Sequence, residues 1–316
     1  MLAASGRHVR YLVRPGSNSP GLVGIEADRI EAELSRSDAL VRAMDGASVL
    51  YHLAGKISLS AYDRDQLHLV NVDRTASVLD AAVRARVGRF VHVGSVEAFP
   101  LAGGPYPITE EHPLDPERTI TEYGRSKARG IRLVMDAHGS GIEVIVCCPT
   151  ALIGPPDYRV SPVGRFVLDY MRRRLPACVD GGFDFVDIRD AADGLMRAAE
   201  IGRGGRLYLL SGHYVEVPEL IRMLEEQSGV RRPPICFPIR CVAPFVPLAE
   251  RLARLAGRSP RFTSANLRLL SLGVRVDSTR ARDELGYTVR PFRETVADTV
   301  AWFTPLLDAH ERSHLQ

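Results

Sequence analysis

The first half of the chain alternates two kinds of hydrophobic pattern. Short runs rich in β-branched residues predict strands, and longer stretches with an apolar residue every three or four positions predict helices. The predicted strands are His8–Val13, Ser48–Leu53, Arg89–Val93 and Glu143–Cys148. The predicted helices are Asp38–Met44, Val70–Ala85 and Tyr123–His138. Strands that alternate with helices in this way indicate βαβ units, so we expect an α/β fold with a doubly wound parallel sheet.

The pattern changes after Pro149, where proline and glycine become more frequent and strand signals become sparse. The remaining strands are predicted at Phe183–Asp187 and Arg206–Leu210. Helices are predicted at Arg189–Ala199, Val217–Gln227, Phe245–Leu255, Ser278–Glu284 and Phe292–Trp302. We therefore expect one domain over residues 1–150 and a smaller one over residues 151–316, some segments of which return to the first domain.

The predicted helix Phe245–Leu255 is amphipathic. A helix with one apolar stripe ordinarily packs that stripe on its own domain, and this is the interpretation we favour. Contact with a membrane surface is the alternative.

Composition excludes several classes of protein. The 316 residues are 45% hydrophobic and 25% charged, as in an ordinary globular protein. Lysine and arginine together number 41 and the acidic residues 38. The chain therefore lacks the excess of positive charge that is typical of proteins that bind nucleic acid. No apolar run approaches the ~18 residues that a membrane span needs, and the N-terminus lacks the apolar core of a signal peptide. We expect no membrane span and a cytoplasmic location.

The five cysteines do not suggest a metal site, because no pair has CxxC spacing. Cys147 and Cys148 lie in an apolar run, where buried packing is expected. We predict no metal ligands in this chain.

The N-terminus begins with a short helical stretch, Leu2–Ser5, followed by Gly6 as a helix C-cap and then by a strand. A nucleotide-binding βαβ unit starts with a strand and a glycine-rich turn before such a helix. Neither GxGxxG nor GxxGxxG occurs among the 27 glycines of the sequence.

The strongest chemical signal is Tyr123 and Lys127, with Ser95 just after a predicted strand. Residues four apart on a helix share a face, so Tyr123 and Lys127 are expected to lie one turn apart. A tyrosine with its ordinary pKa near ~10 is a poor acid or base at neutral pH, whereas a nearby ammonium lowers that pKa. Ser95 follows the carboxyl end of its strand, where open α/β sheets bind ligands, and its hydroxyl can hydrogen-bond a substrate oxygen.

Several motifs in order resemble the extended short-chain dehydrogenase/reductases. They are Gly94-Ser95, Tyr123-xxx-Lys127, His52-Leu-Ala-Gly55, Asn71-Val-Asp-Arg-Thr75 and Cys148-Pro-Thr-Ala-Leu-Ile-Gly-Pro155. Within this group the chain is most similar to the NAD-dependent epimerase/dehydratase family and its dihydroflavonol-reductase-like branch. The resemblance runs from about Gly6 to Phe303, and it implies a Rossmann-type domain that binds NAD(P) over residues 1–150 and a mainly substrate-binding domain after it.

The resemblance implies catalytic roles for three residues. Tyr123 would be the acid/base, Lys127 would bind the nicotinamide ribose and lower the pKa of Tyr123, and Ser95 would orient the substrate oxygen. Asn71 matches an asparagine that is either structural or part of a proton relay. His52 is expected to be structural.

The resemblance also implies a cofactor site. Arg14 follows the family's second strand, where an acidic residue reads the NAD ribose and an arginine suits a 2′-phosphate, so NADP is favoured over NAD. Other residues expected beside the cofactor, besides Tyr123 and Lys127, are Leu53, Ala54, Gly55, Pro149 and Thr150.

Substrate contacts are expected from Ser95, Lys56, Glu97 and Phe99. The preferred function is hydride transfer at a secondary alcohol or ketone, and the apolar second half favours a hydrophobic ketone. The alternative is a nucleotide-sugar epimerase or dehydratase with bound NAD, which would be favoured if Arg172–Arg174 faced the pocket.

The family's first strand and glycine-rich turn are not in the sequence. We expect Met1 to be an internal residue of the first helix, with the start codon placed too late; a true truncation is the other possibility. A non-catalytic relative that has lost cofactor binding therefore remains a further alternative. The expected partners are a small-molecule substrate and, through helices near Asn71 and Tyr123, a second copy of the chain in a homodimer.

Overall fold

The computed structural model describes residues 1–58, 61–101, 107–255 and 263–313. Its strands are β1 (Arg10–Val13), β2 (Asp28–Glu31), β3 (Val49–His52), β4 (Arg89–Val93), β5 (Glu143–Pro149), β6 (Ala151–Ile153), β7 (Cys178–Val179), β8 (Gly182–Asp187), β9 (Arg206–Leu210), β10 (His213–Glu216) and β11 (Cys236–Phe237).

A helix lies at every predicted periodic stretch. The helices are α1 (Ser37–Met44), α2 (Arg64–His68), α3 (Arg74–Arg84), α4 (Glu122–Asp136), α5 (Pro162–Met171), α6 (Ile188–Ile201), α7 (Val217–Ser228), α8 (Ile239–Val242), α9 (Val246–Leu255), α10 (Ser264–Leu272), α11 (Thr279–Leu285) and α12 (Phe292–Ser313). Helix α12 continues beyond its predicted end at Trp302, and α2, α5, α8 and α10 were not predicted. A π-helical turn, Leu69–Asp73, joins α2 to α3, so the stretch Val70–Ala85 predicted as one helix begins inside this turn and continues through α3.

The main sheet contains four parallel strands in the order β3-β4-β5-β9. Alternate residues of these strands enter two different cores, because successive side chains of a strand point to opposite faces. Phe90 and Val144 pack with α1, α3 and α4, whereas Val91 and Ile145 pack with α6 and α11. Both faces are thus covered by helices, as a parallel sheet requires, and the predicted α/β class is confirmed.

A second parallel sheet contains only β1 and β2. Neither of its strands pairs with β3 among the described residues, so β1 and β3 each leave one backbone edge without a strand partner there. The predicted short helical stretch Leu2–Ser5 precedes this sheet: Ala3–Ser5 is a 3-10 turn that ends at Gly6, whose φ of 74° places it in the left-handed region.

The second half of the chain has a third core. It forms around the mixed sheet β10-β8-β6 and the helices α5, α7, α10 and α12. Strand β9 comes from this half of the chain but adds to the main sheet beside β5. The division into domains at residue 150 remains a prediction.

Helix α9 only partly fits the favoured interpretation of its sequence. Val246 packs into the third core, but Phe245, Leu248 and Leu252 are 58–70% exposed. Among the described residues, no helix is long and apolar enough to cross a membrane.

Candidate active site

Ser95 lies just beyond the carboxyl end of β4 and begins a one-turn 3-10 helix, Val96–Ala98. Its side chain is buried, and its Oγ accepts a hydrogen bond of 3.2 Å from the backbone N–H of Glu97. The hydroxyl is therefore held at the sheet edge where parallel α/β folds place ligands.

Helix α4 brings Tyr123 against this turn. Thr121 caps the helix, since its Oγ1 accepts a 2.8 Å bond from the N–H of Gly124 and donates a 3.0 Å bond to the Glu97 carboxylate. A Cβ at Gly124 would overlap the carbonyl oxygen of Glu97, so glycine permits the close approach of α4. Tyr123, in the first turn of α4, is 7% exposed.

Burial is the largest influence on the Tyr123 hydroxyl, and it raises the pKa of Tyr123 above its usual value. The nearby Glu97 carboxylate raises this pKa further, while a hydrogen bond with Ser95 opposes the rise. Lowering by Lys127, which we expected, is not among the main influences. Proton transfer near neutral pH therefore requires additional positive charge beside the phenol.

Lys127 lies one turn after Tyr123 and is also buried. Its Nζ donates a 2.8 Å hydrogen bond to the carbonyl of Val93, the last residue of β4. Burial lowers the pKa of Lys127 to about 8. An ammonium has three N–H donors, so the bond to Val93 leaves further hydrogen-bonding capacity toward a ligand.

Asn71 occupies the π turn and holds the loop that follows β3. Its Oδ1 accepts a 2.8 Å bond from the N–H of Lys56, and its Nδ2 donates to the Lys56 carbonyl at 2.9 Å and to Ser126 Oγ at 2.9 Å. Ser126 Oγ in turn donates to the Tyr123 carbonyl at 2.8 Å. The amide thus connects the loop after β3 to the helix that carries Tyr123.

Two buried histidines lie behind the site. His52 and His92 stack with their ring centroids 5.4 Å apart. His52 Nε2 is 3.0 Å from Thr75 Oγ1, which itself donates a 3.0 Å bond to the Asn71 carbonyl. Because the Thr75 proton is used in that bond, His52 is the donor to Thr75. Burial, then the charge of Lys127, lowers the pKa of His52 to about 3, which fits its expected structural role.

The loop predicted to bind the cofactor lies directly over Lys127. A Cβ at Gly55 would be 3.2 Å from Lys127 Nζ and 3.4 Å from Asn71 Oδ1. Leu53, Ala54 and Gly55 are exposed. Gly55 thus brings an exposed part of this loop against the buried ammonium.

The other predicted cofactor residues occupy different strand ends. Pro149 is the last residue of β5, and Thr150 follows it; both are buried. Arg14 follows β1 in the small sheet and is exposed. Pro149 and Thr150 lie at the carboxyl end of β5, beside the β4 end that Ser95 follows, whereas Arg14 lies at the carboxyl end of a strand in the separate small sheet.

The structure places the predicted substrate residues in different surroundings. Lys56 borders the loop over Lys127, and its Nζ is 3.8 Å from Asp63. Glu97 contacts Thr121 and lies near Tyr123, and burial raises the pKa of its carboxyl group. Phe99 is instead fully buried in the core with Phe90, so in this structure it has no exposed surface with which to contact a substrate.

Sequence reasoning missed the supporting residues Thr75, Thr121 and Ser126. Only Thr121 had a local signal, because a threonine before a helical stretch is a typical N-cap. Thr75 and Ser126 each make one bond within their own helical segment and one contact that is distant in sequence, to His52 and to Asn71, and periodicity does not reveal the distant contacts.

Comparison with known proteins places these residues in a family. Residues 1–210 match the NAD dependent epimerase/dehydratase family. Sterol demethylase protein B of Methylococcus capsulatus is 35% identical over 96% of this chain and 92% of its own length. A ketoreductase of Stigmatella aurantiaca, named for 4-hydroxy-2-methyl-3-oxo-4-farnesyl-3,4-dihydroquinoline-1-oxide, is 33% identical over 92% of this chain and 87% of its own length.

A solved structure, that of the protein gox2253, superposes with a TM-score of 0.83 at 31% identity. It covers 96% of this chain, and this chain covers 92% of it. The predicted Rossmann-type fold and the predicted enzyme class are confirmed. From its sequence motifs, its parallel sheet and these relatives, the chain belongs to the NAD-dependent epimerase/dehydratase family of the extended short-chain dehydrogenase/reductases.

Proposed function

We propose that this chain is an NAD(P)-dependent oxidoreductase that interconverts a secondary alcohol and a ketone. The observation that carries the proposal is the buried cluster at the end of β4, where Tyr123 hydrogen-bonds with Ser95 and Lys127 lies one helical turn away. A phenol, a hydroxyl and an ammonium in this order can bind a carbonyl oxygen and transfer a proton to it.

Each residue has a distinct part in the reaction. Ser95 donates a hydrogen bond to the substrate oxygen and fixes its position, and Tyr123 gives its proton to that oxygen during reduction or removes it during oxidation. Lys127 keeps a positive charge below the phenol and holds a ribose hydroxyl. When bound, the nicotinamide supplies or accepts the hydride.

The residues present fit the nicotinamide and its ribose. The open loop Leu53–Gly55 lies over Lys127, whose ammonium retains donors for ribose hydroxyls. Thr150 and Pro149 form the buried wall at the neighbouring strand end.

The proton transfer is tested by removing single hydroxyl groups. Tyr123→Phe should lower kcat/KM by about 10²- to 10⁴-fold, the usual contribution of a positioned acid/base. Tyr214→Phe, which removes a tyrosine hydroxyl from β10, is the matched control. Activity is followed as NADPH oxidation at 340 nm with dihydroquercetin and with a 3-oxosteroid as probes. Equal losses in the two variants would contradict the proposed role.

The charge on Lys127 gives a pH dependence. A lysine is protonated below its pKa, so the ammonium is lost as the pH rises through about 8. We expect kcat/KM to fall above that pH and the same limb to be absent from the residual activity of Lys127→Met. If kcat/KM of the Lys127→Met variant still fell above this pH, the titration would belong to another group.

We propose that the cofactor is NADP rather than NAD. Arg14 supports this, because it is exposed at the end of β1 and a guanidinium binds phosphate through charge-assisted bonds. Arg14→Gln should weaken NADPH binding about tenfold to a hundredfold and leave NADH binding nearly unchanged. Arg36→Gln is the control, and fluorescence titration measures both affinities. Equal weakening of the two cofactors would contradict the assignment.

A lipophilic ketone is the proposed substrate class. The names of the two relatives above, a sterol demethylase protein and a farnesyl-dihydroquinoline ketoreductase, support it. The nucleotide-sugar alternative has a testable feature in Arg173 and Arg174, exposed beyond the end of α5. Binding of UDP-glucose that Arg173→Gln/Arg174→Gln abolishes would favour an epimerase or dehydratase.

The non-catalytic alternative is tested by cofactor binding alone. A ligand at 100 times its dissociation constant stabilises the native state by about 2.7 kcal/mol. We expect millimolar NADPH to raise the Tm of the chain more than NADH does. A cooperative transition that neither cofactor shifts would support a relative that has lost cofactor binding.

We also propose a homodimer that pairs through α3 and α4, as the family resemblance suggests. Sedimentation equilibrium checks this directly. A mass of 34.8 kDa at all concentrations would contradict it.

A further inference from the structure

Helix α9 and the residue before it present an apolar strip to solvent. Phe245, Leu248 and Leu252 are 70%, 61% and 58% exposed, and they lie on one side of the helix because they are separated by three and four positions. Val246, on the opposite side, is buried in the core of the second half. The helix is thus apolar on both sides, and only one side is covered among the described residues.

Two exposed arginines are close to this strip in the sequence. Arg240 and Arg251 are both exposed, and no acidic side chain among the described residues forms an ion pair with either. Arg251 adjoins Leu252 in α9, and Arg240 belongs to α8, one short turn before Phe245. Over residues 231–252 the sequence has four arginines and a single acid, Glu250. That carboxylate accepts hydrogen bonds from Ser264.

Aromatic and leucine side chains on one side of a helix, with arginines next to them, are the pattern of a helix that lies in a membrane interface. We propose that α9 and α8 dock this chain on the surface of an anionic lipid bilayer. The apolar strip enters the headgroup boundary, and Arg240 and Arg251 contact lipid phosphates.

Charge favours an anionic bilayer over a second copy of the chain as the partner of this strip. A twofold interface uses the same patch on both subunits, so two copies that met here would bring two arginine-rich segments together. Phosphates of an anionic bilayer supply the opposite charge instead. The proposal does not depend on the reaction assigned to the active site.

The test is flotation of the purified chain with vesicles of phosphatidylcholine, with and without 30 mol% phosphatidylglycerol. We expect binding to the anionic vesicles that weakens as salt is raised, because exposed charges are screened. Phe245→Ser/Leu248→Ser/Leu252→Ser should abolish flotation. The matched control, Val23→Ser/Ile25→Ser/Ile201→Ser, changes three exposed apolar residues elsewhere and should bind normally.

The arginines are tested separately. An arginine near an anionic surface contributes about a fivefold change in partitioning, so Arg240→Gln/Arg251→Gln should weaken binding about 25-fold. Arg36→Gln/Arg206→Gln removes two exposed arginines from other elements and is the control. Circular dichroism and Tm show that each variant is folded.

Three results would overturn the proposal. One is the failure of the wild-type chain to float with anionic vesicles at low salt. Another is flotation of the triple serine variant at the wild-type level. The third is a dimer in sedimentation that the triple variant dissociates, without vesicle binding, which would assign the strip to a second copy.

Discussion

The two parallel sheets of the first half differ in how deeply they are buried. In the main sheet, β5 is buried from Val144 to Pro149, and helices cover both faces. In the small sheet, three of the four β2 residues are exposed and no residue of β1 is fully buried. The main sheet positions Ser95 and Lys127, for which we propose roles in the reaction, in buried surroundings, whereas the small sheet positions Arg14, for which we propose a cofactor contact, in an exposed place. The role proposed for Arg14 tolerates solvent, because an exposed guanidinium can still bind a phosphate; the proposed acid/base residues lie in a dry site, where burial raises the pKa of Tyr123 and lowers that of Lys127.

The largest expected difference between the sheets is in packing. Leu209→Ala, in β9 of the main sheet, should lower the free energy of unfolding by about 3–5 kcal/mol, because its side chain is fully buried. Leu12→Ala, in β1, should cost less than about 2 kcal/mol, since Leu12 is only partly buried against the same core. Urea denaturation measures both. Equal losses would mean that the small sheet is as firmly packed as the main one.

A smaller effect is expected from the buried histidines of the main sheet. Burial, then His52 and Lys127, holds the pKa of His92 well below its usual value, and neither ring nitrogen of His92 has a hydrogen-bond partner among the described residues. The unfolded chain therefore binds a proton that the native chain does not, and stability falls as the pH drops below about 6.5.

His92→Phe removes this proton uptake without losing a hydrogen bond. Between pH 7 and pH 5 it should spare up to about 2 kcal/mol of the acid destabilisation seen in the wild type. His8→Phe, at the exposed side chain beside β2, is the control from the small sheet. Thermal unfolding is measured across this pH range. The role of His92 would be contradicted if the stability of the His92→Phe variant fell with pH as steeply as that of the wild type.

The smallest effects are expected from the strand arginines. Arg29, in β2, pairs with Glu31 at 2.6 Å in an exposed position, so Arg29→Ala should cost less than about 1 kcal/mol. Arg89, in β4, pairs with Glu143 and also donates to the Ala199 carbonyl. Arg89→Ala should cost about 1–2 kcal/mol, because that half-buried carbonyl loses its donor. Chemical denaturation measures the free energy of unfolding of both variants. A larger loss for Arg29→Ala than for Arg89→Ala would contradict this difference between the two sheets.

The same difference in burial explains what the sequence could predict. Strands β4 and β9 were predicted at their observed bounds, because buried parallel strands are continuous apolar runs. Strand β2 was missed, since its sequence Asp-Arg-Ile-Glu has one apolar residue and its ends are solvated. Local pattern therefore predicts strands that contain a run of apolar residues, including the edge strands β1 and β3, and overlooks a strand whose residues are mostly polar and exposed.

In the candidate site, motif spacing was sufficient to propose Ser95, Tyr123 and Lys127. It was not sufficient for Phe99, because an apolar residue beside a catalytic serine has the same sequence pattern whether it faces a cleft or the core. The exposed strip on α9 could not be predicted for the same reason. The periodicity of that helix was visible in the sequence, but which of its sides would be covered depends on residues far away in the chain.

The π turn at Leu69–Asp73 has a consequence for insertions and deletions. A π turn contains one residue more than an α turn. The helical segment from α2 to α3 therefore contains one residue more than a continuous α-helix of the same number of turns would have. Deleting one residue there would restore a regular helix yet rotate Asn71 about 100° around the axis, away from the Lys56 backbone. Length variation among relatives should therefore be rarer at this turn than in the loop after α3, although the turn is less regular than an α-helix.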